Sequence, residues 1–333
     1  MISNFGLFFV YLIAILLEVG LPICLAVYLI KKYPNAWIMI VTGVFTYAIA
    51  QLIRIPATTG IQTLFSNGTL KTPSATATPW VNALIAGLLA AMIEEGMRWI
   101  GYRLTKDYAK PFRSGISLGL GHGGSELLIV GALVAYNLCT VVFYNPGHQL
   151  NSGVSMATVQ AAMDKIATYW DTSWVVGFMS IFEKFVQFSI QLVLSLLMWR
   201  AVTKDAPVWF MAAFVFHIIA SGITTLLSGL GWSFWQVEGI LFIILLLNIL
   251  ILYWFWGDQG GLDSEPDDED DEDDDEEEDE DDEEDEEDAR TKVIVAKKKS
   301  AASMADKMKQ KATGKKSAPT KKPADKTKVA KKK

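Results

Sequence analysis

The chain has 333 residues, 51% of them hydrophobic and 20% charged, with 11 Trp and 17 Phe. Its charge is segregated: residues 1–262 carry 13 Lys and Arg against 11 Asp and Glu, whereas residues 263–333 carry 17 against 26. The formal net charge of −7 therefore belongs to the tail and does not describe the partners of the body, and the apolar composition of that body excludes an ordinary water-soluble domain.

A bilayer crossing takes about 20 predominantly apolar residues. The first such stretch, residues 5–30, has no basic residues before it and no small-residue cleavage site, and is expected as a retained span rather than a signal peptide. Within it Glu18 precedes Pro22 by four residues, where a kink is expected. A second span is expected at 36–55, followed by a Thr-, Ser-, Ala- and Pro-rich loop over 56–79 that holds the glycosylation sequon Asn67-Gly68-Thr69. The third and fourth spans, 80–103 and 115–143, are interrupted by polar clusters. The fourth is also rich in glycine, which permits either close helix packing or a break. Residues 144–173 follow, with a helix expected over 154–170 on the membrane surface. Spans at 174–199, 207–228 and 233–256 complete an all-α, polytopic bundle of about seven transmembrane helices around an intramembrane polar cavity. Cys24 and Cys139 lie in apolar segments, read as buried small hydrophobes, and form no disulfide framework.

Three regions result: a transmembrane helical body over 1–256, an acidic segment over 257–288 and a basic, Lys- and Ala-rich tail over 289–333. Residues 263–288 are acidic at 24 of 26 positions, a composition that self-repels and buries nothing, so both tail segments are expected to be disordered. The lysines suit anionic surfaces or nucleic acid, but no aromatic residue is interleaved for base stacking. Eight Lys and Arg follow spans 1, 3 and 5, against three on the other side. This bias places the N-terminus outside and the tail in the cytoplasm of an integral protein of the cell membrane.

The chemistry sits in three clusters inside apolar spans: Glu94-Glu95-Gly96-Met97-Arg98, Gly121-His122-Gly123-Gly124-Ser125-Glu126, and His217 with Ser221 one turn later. Ionisable side chains at that depth are expensive and mark functional sites. Arg98 reaches either glutamate at helical spacing, leaving one carboxylate for acid–base work. His122 and Glu126 share a face, and an imidazole there can bind a metal, orient water or stabilise an oxyanion. The competing structural readings are a boundary Glu–Arg pair, an interhelical hydrogen bond and a neutral buried histidine. Glu183 in span 5 is a further candidate. No Walker A sequence, HExxH or serine nucleophile elbow competes with these clusters.

The glutamate pair with Arg98, followed by His122 and His217 on later spans, resembles the type II CAAX prenyl endopeptidase and bacteriocin-processing superfamily. The stretch Gly119-Leu-Gly-His-Gly-Gly-Ser-Glu126 looks more specifically like the YhfC family of intramembrane peptidases, and the resemblance covers roughly residues 1–256. It implies a glutamate-dependent intramembrane protease, a CAAX-protease-like hydrolase. Glu94 would be the general base, Glu95, His122 and His217 would assist it, and Arg98, Glu126, Glu183 and Ser221 would support them. The prenyl enzymes place an asparagine where this chain has Ser221. No cofactor is expected from this mechanism. The alternatives are a Zn²⁺-dependent version using His122, His217, Glu94 and Glu126, and a non-catalytic membrane scaffold of the same fold. The implied partners are membrane lipid and a membrane-protein or lipidated-peptide substrate.

Overall fold

A computed structural model of the chain describes residues 4–262. The acidic block, the basic tail and the disorder expected of them lie outside the described residues. Seven helices are long and apolar enough to cross a membrane: α1 (Phe5–Lys32), α2 (Ala36–Ser66), α3 (Thr78–Leu104), α4 (Phe112–Phe143), α5 (Trp174–Thr203), α6 (Pro207–Gly229) and α7 (Phe234–Asp258). They are joined in series. One end of the bundle, here the N-terminal face, therefore gathers Phe5, Ser66, Thr78, Phe143, Trp174, Gly229 and Phe234. The opposite C-terminal face gathers the remaining ends. No strand occurs among the described residues.

Helix α5 is the most buried span, with Val186, Val193, Leu194, Leu196 and Met198 at its core face. Around the bundle, large apolar side chains such as Phe9, Leu52, Leu84, Leu133 and Tyr253 remain exposed. Such a surface suits hydrocarbon as its solvent, because a helix satisfies its backbone groups within itself. Cys24 and Cys139, expected to be buried, also lie on this exposed surface as free thiols. Apolar sequence alone does not tell a lipid-facing side of a span from a core-facing one.

Two helices contain a widened π-helical turn. In α1 it covers Leu16–Gly20. Pro22 lacks an N–H and its ring crowds the carbonyl four residues before it, at Glu18, so the helix widens there. In α3 it covers Ala91–Glu95 and carries both adjacent glutamates.

Helix α2 departs from expectation. The loop expected from residue 56 is instead helical to Ser66, with Pro56 inside the helix. The threonines that suggested a loop bond backward to the helix carbonyls: Thr58 to Arg54 (2.9 Å), Thr59 to Ile55 (3.0 Å) and Thr63 to Thr59 (2.9 Å). Backward bonds of this kind are how Ser and Thr help a membrane helix carry a proline.

The glycines of α4 do not break it. They let three neighbours press close. A Cβ on Gly121 would stand 2.1 Å from the Ile40 carbonyl oxygen of α2, and one on Gly43 would stand 2.2 Å from the Leu118 oxygen of α4. Gly115, Gly119 and Gly123, one turn apart, receive Leu196, Ser195 and Gln191 of α5. Gly131 receives Val19 and Glu18 of α1. Between α4 and α5 a helix over Met156–Asp171 is tied to α1 through stacked Tyr11 and Tyr169 rings, 4.8 Å between centroids, and through Asn4, which donates to the Trp170 carbonyl at 3.3 Å.

Candidate active site

Each polar cluster lies at the same level of the bundle. Glu94 is ten residues from the α3 end at Leu104, His122 ten from Phe112, His217 ten from Pro207, and Thr46 ten from Ala36. At 1.5 Å per residue that level is about 15 Å from the C-terminal face. Close glycine packing of α4 on α2 and α5, and of α3 on α6 at Gly87, brings these four positions together. The widened turn at Ala91–Glu95 sets Glu94 and Glu95 less than the usual 100° apart, so both carboxylates face inward.

The result is a charged site cut off from solvent. Glu94, Glu95, Arg98 and His122 are at most 1% exposed and His217 is 2% exposed. Glu94 is the hub. Its Oε1 accepts from Arg54 Nη1 at 2.8 Å. Its Oε2 lies 3.4 Å from His122 Nε2, 3.5 Å from Gln191 Nε2, and 3.7 Å from both His217 Nε2 and Arg98 Nη2. Arg98 donates to Glu95 Oε1 and to Gln191 Oε1. Gln191 Nε2 also reaches Glu126 Oε2 at 3.3 Å, and Gln187 donates to Glu126 Oε1 at 2.6 Å.

The outer nitrogens of both histidines are fixed. His217 Nδ1 is 2.6 Å from Glu95 Oε1 and so donates its proton to that carboxylate. His122 Nδ1 is 3.1 Å from Thr46 Oγ1. The Thr46 hydroxyl donates its one proton to the Gly43 carbonyl (2.8 Å), so it accepts from His122. With each imidazole neutral, both Nε2 lone pairs then point toward the Glu94 carboxylate. Three acceptors facing one another need a shared cation, either a proton on an imidazole or a metal ion. Two of the carboxylates, Glu94 and Glu95, are met by the guanidinium groups of Arg54 and Arg98, and the third, Glu126, is linked through Gln187 to the Lys184 ammonium. Glu95 Oε2 and Arg98 Nε are buried without a partner.

Of the residues singled out from sequence, Glu94, Glu95, Arg98, His122, Glu126 and His217 thus form one connected network. Ser221 hydrogen-bonds to none of them. Glu183 is placed elsewhere, against Glu238 of α7. Five residues outside the three clusters join the network: Thr46, Arg54, Gln187, Gln191, and Lys184, which donates to Gln187 Oε1 at 3.1 Å. Their one sequence signal is polarity within or beside an apolar span. The Tyr47 ring packs edge-on against His122, with 5.4 Å between centroids.

Over 207 residues the chain is 26% identical to a membrane protein YhfC of Bacillus subtilis (strain 168), described as uncharacterized; the match covers 60% of this chain and 76% of that one. No solved structure matches. A family model described as YhfC intramembrane metalloprotease matches residues 14–241. That description implies a resident metal and overturns the expectation of no cofactor. The expected mechanism, with Glu94 as base and His122 and His217 assisting without a metal, did not account for two imidazoles turned toward the same oxygen. Among the described residues no three His, Cys, Asp or Glu side chains already enclose a metal position. The fit is in the two imidazole lone pairs, each ring oriented from behind and each 3.4 or 3.7 Å from the same Glu94 oxygen. The family match spans more than half of the chain and contains all three clusters, so this chain belongs to the YhfC intramembrane metalloprotease family.

Proposed function

We propose that this integral membrane protein is a metal-dependent peptidase that hydrolyses a peptide bond at the depth of Glu94, His122 and His217. The observation that carries this reading is the convergence of two tethered imidazoles on one carboxylate oxygen inside the bilayer-spanning bundle. His122 and His217 would hold the metal through Nε2. When bound, the metal would supply a Lewis acid and a water of lowered pKa.

Every other role falls to the chain itself. Glu94 Oε2 stands beside both imidazoles and takes the proton of the attacking water, then returns it to the leaving amine. Arg54, on Oε1, turns the carboxylate so that Oε2 faces the imidazoles. Glu95 and Thr46 fix the tautomer and plane of His217 and His122. Arg98 and Gln191 bind one another and the two glutamates, which holds α3 against α5. The apolar bundle keeps bulk water away, so each of these interactions acts in a low-dielectric setting. In this reading the N-terminal face is outside and the C-terminal face is cytoplasmic, since Lys31, Lys32, Arg103, Lys106, Lys110, Arg113, Arg200 and Lys204 all lie at the latter.

The test is quantitative terminal-peptide proteomics on native membranes, comparing wild type with Glu94→Gln at matched expression, together with the metal content of each purified protein. Specific membrane-protein fragments should vanish in the variant, with accumulation of their precursors, while most of the metal is retained. Identical fragment profiles from two folded, abundant proteins would overturn the peptidase reading. A wild-type protein that cleaves after complete removal of metal would overturn the metal dependence.

A further inference from the structure

Toward the N-terminal face from the cluster, α2, α3 and α6 enclose a cavity of about 610 Å³. Its walls are largely apolar, from side chains such as Ile61, Phe65 and Ile85, with the hydroxyl and amide groups of Thr58, Gln62 and Asn82 set among them and no charged side chain in the lining. The cavity stands over the site. Thr58 is one turn beyond Arg54 on α2, and Thr225, also in the lining, is eight residues, about 12 Å, beyond His217 on α6.

Arg54 lies between cavity and site along α2, one turn before Thr58 of the cavity lining and paired with Glu94 of the site. Its side chain is 34% exposed, whereas the Glu94 side chain it grips is 1% exposed. Among the described residues its side-chain partner is Glu94, reached through Nη1, which leaves most of its five N–H donors available there. An arginine at this depth is costly.

We propose that Arg54 and this cavity form a substrate subsite for a carboxylate, carried on the part of the peptide that lies toward the N-terminal face from the bond to be cut. The inference rests on the peptidase reading above. A guanidinium fork matches a carboxylate in shape and charge. The neutral hydroxyl and amide groups of the cavity can bond a peptide backbone and bring no like charge against the arriving anion. Because Arg54 also grips Glu94, a carboxylate seated on its open edge is registered directly against the base. The carboxylate has two sources, an acidic side chain or the chain's own C-terminus.

The experiment uses the full-length protein in liposomes with a pool of single-span reporter peptides. Their residues next to the span on the N-terminal-face side are randomised, and half end there while half continue. Cleaved products are read by mass spectrometry as ratios within the pool, so a change in overall rate does not affect the result. The wild type should enrich Asp and Glu, or free C-termini, by roughly tenfold, the size of one charge-assisted hydrogen bond. Preference among continuing peptides identifies a side chain; preference for ending peptides identifies the terminus. Arg54→Lys should keep part of the enrichment, Arg54→Gln should remove it, and Arg54→Glu should favour Lys and Arg. Cleavage without acidic enrichment, or enrichment that survives Arg54→Gln, would overturn the subsite and leave the peptidase reading intact. No cleavage of any reporter by folded, metal-loaded wild type would overturn both.

Discussion

Two arginine–carboxylate clusters sit about 20 Å or less apart along the bundle axis, judged from helix rise, and they are built to different ends. At the C-terminal face Arg200 donates to Asp258 at 2.5 Å and lies over the rings of Trp209, Trp254 and Phe255, 4.9–5.7 Å from their centroids. Both charges keep some exposure, 18% and 33%. This cluster pins the ends of α5 and α7 together at an interface where amphipathic rings and long cationic chains are at home. In the cluster around Glu94 only the outer Arg54 keeps such exposure; Glu94, Glu95, Arg98 and both histidines have almost none, Glu95 Oε2 and Arg98 Nε are left without partners, and two imidazole lone pairs turn toward a carboxylate. The first is complete as an anchor. The second is incomplete as an anchor and suits a receptor for a cation and a reacting group.

Substitutions should separate the two clusters sharply. Glu94→Gln keeps the shape of the hub and removes the base, so cleavage should fall by about 10²–10⁴-fold, measured on the reporters. Arg98→Met leaves Glu95 buried without its cation and should cost about 3–5 kcal/mol, read from thermal or denaturant unfolding in detergent micelles. Glu95→Gln weakens the tether on His217 and should lower metal affinity by about 10–100-fold in a competition titration. Thr46→Val should act in the same direction through His122, since it deletes the hydroxyl that accepts from Nδ1. At the other cluster Asp258→Asn should change stability by only about 0–1 kcal/mol, and less in high salt. If Asp258→Asn proved as damaging as Arg98→Met, the division between anchor and receptor would collapse.

The spans were readable because a helix in hydrocarbon leaves a run of apolar residues as its trace. Glu94, Glu95, Arg98, His122 and His217 were readable for the converse reason, since charge is rare within such runs. The end of α2 was not, because threonine and proline signal loops in water yet are accommodated in a membrane helix by the backward bonds of Thr58, Thr59 and Thr63. Ending the span at residue 55 also left Arg54 looking like a boundary residue. Gln187 and Gln191 carry no charge to draw the eye, and their roles follow from which face of α5 meets Gly123 and Glu126. Glu183 meets Glu238 of α7 instead: it shares a side of α5 with Gln187 but stands one turn farther along, about 30 Å from the C-terminal face by helix rise and so beyond the level of Glu94.

The shared ten-residue depth of Glu94, His122 and His217 is also a ruler. A helix severed at that level is left with about ten membrane-embedded residues on the C-terminal face, half of what holds a span in the bilayer. Such a stub is too short to stay anchored by its own apolar surface. Cleavage at this position would therefore act as a release, freeing whatever domain the stub carries into the water on that side.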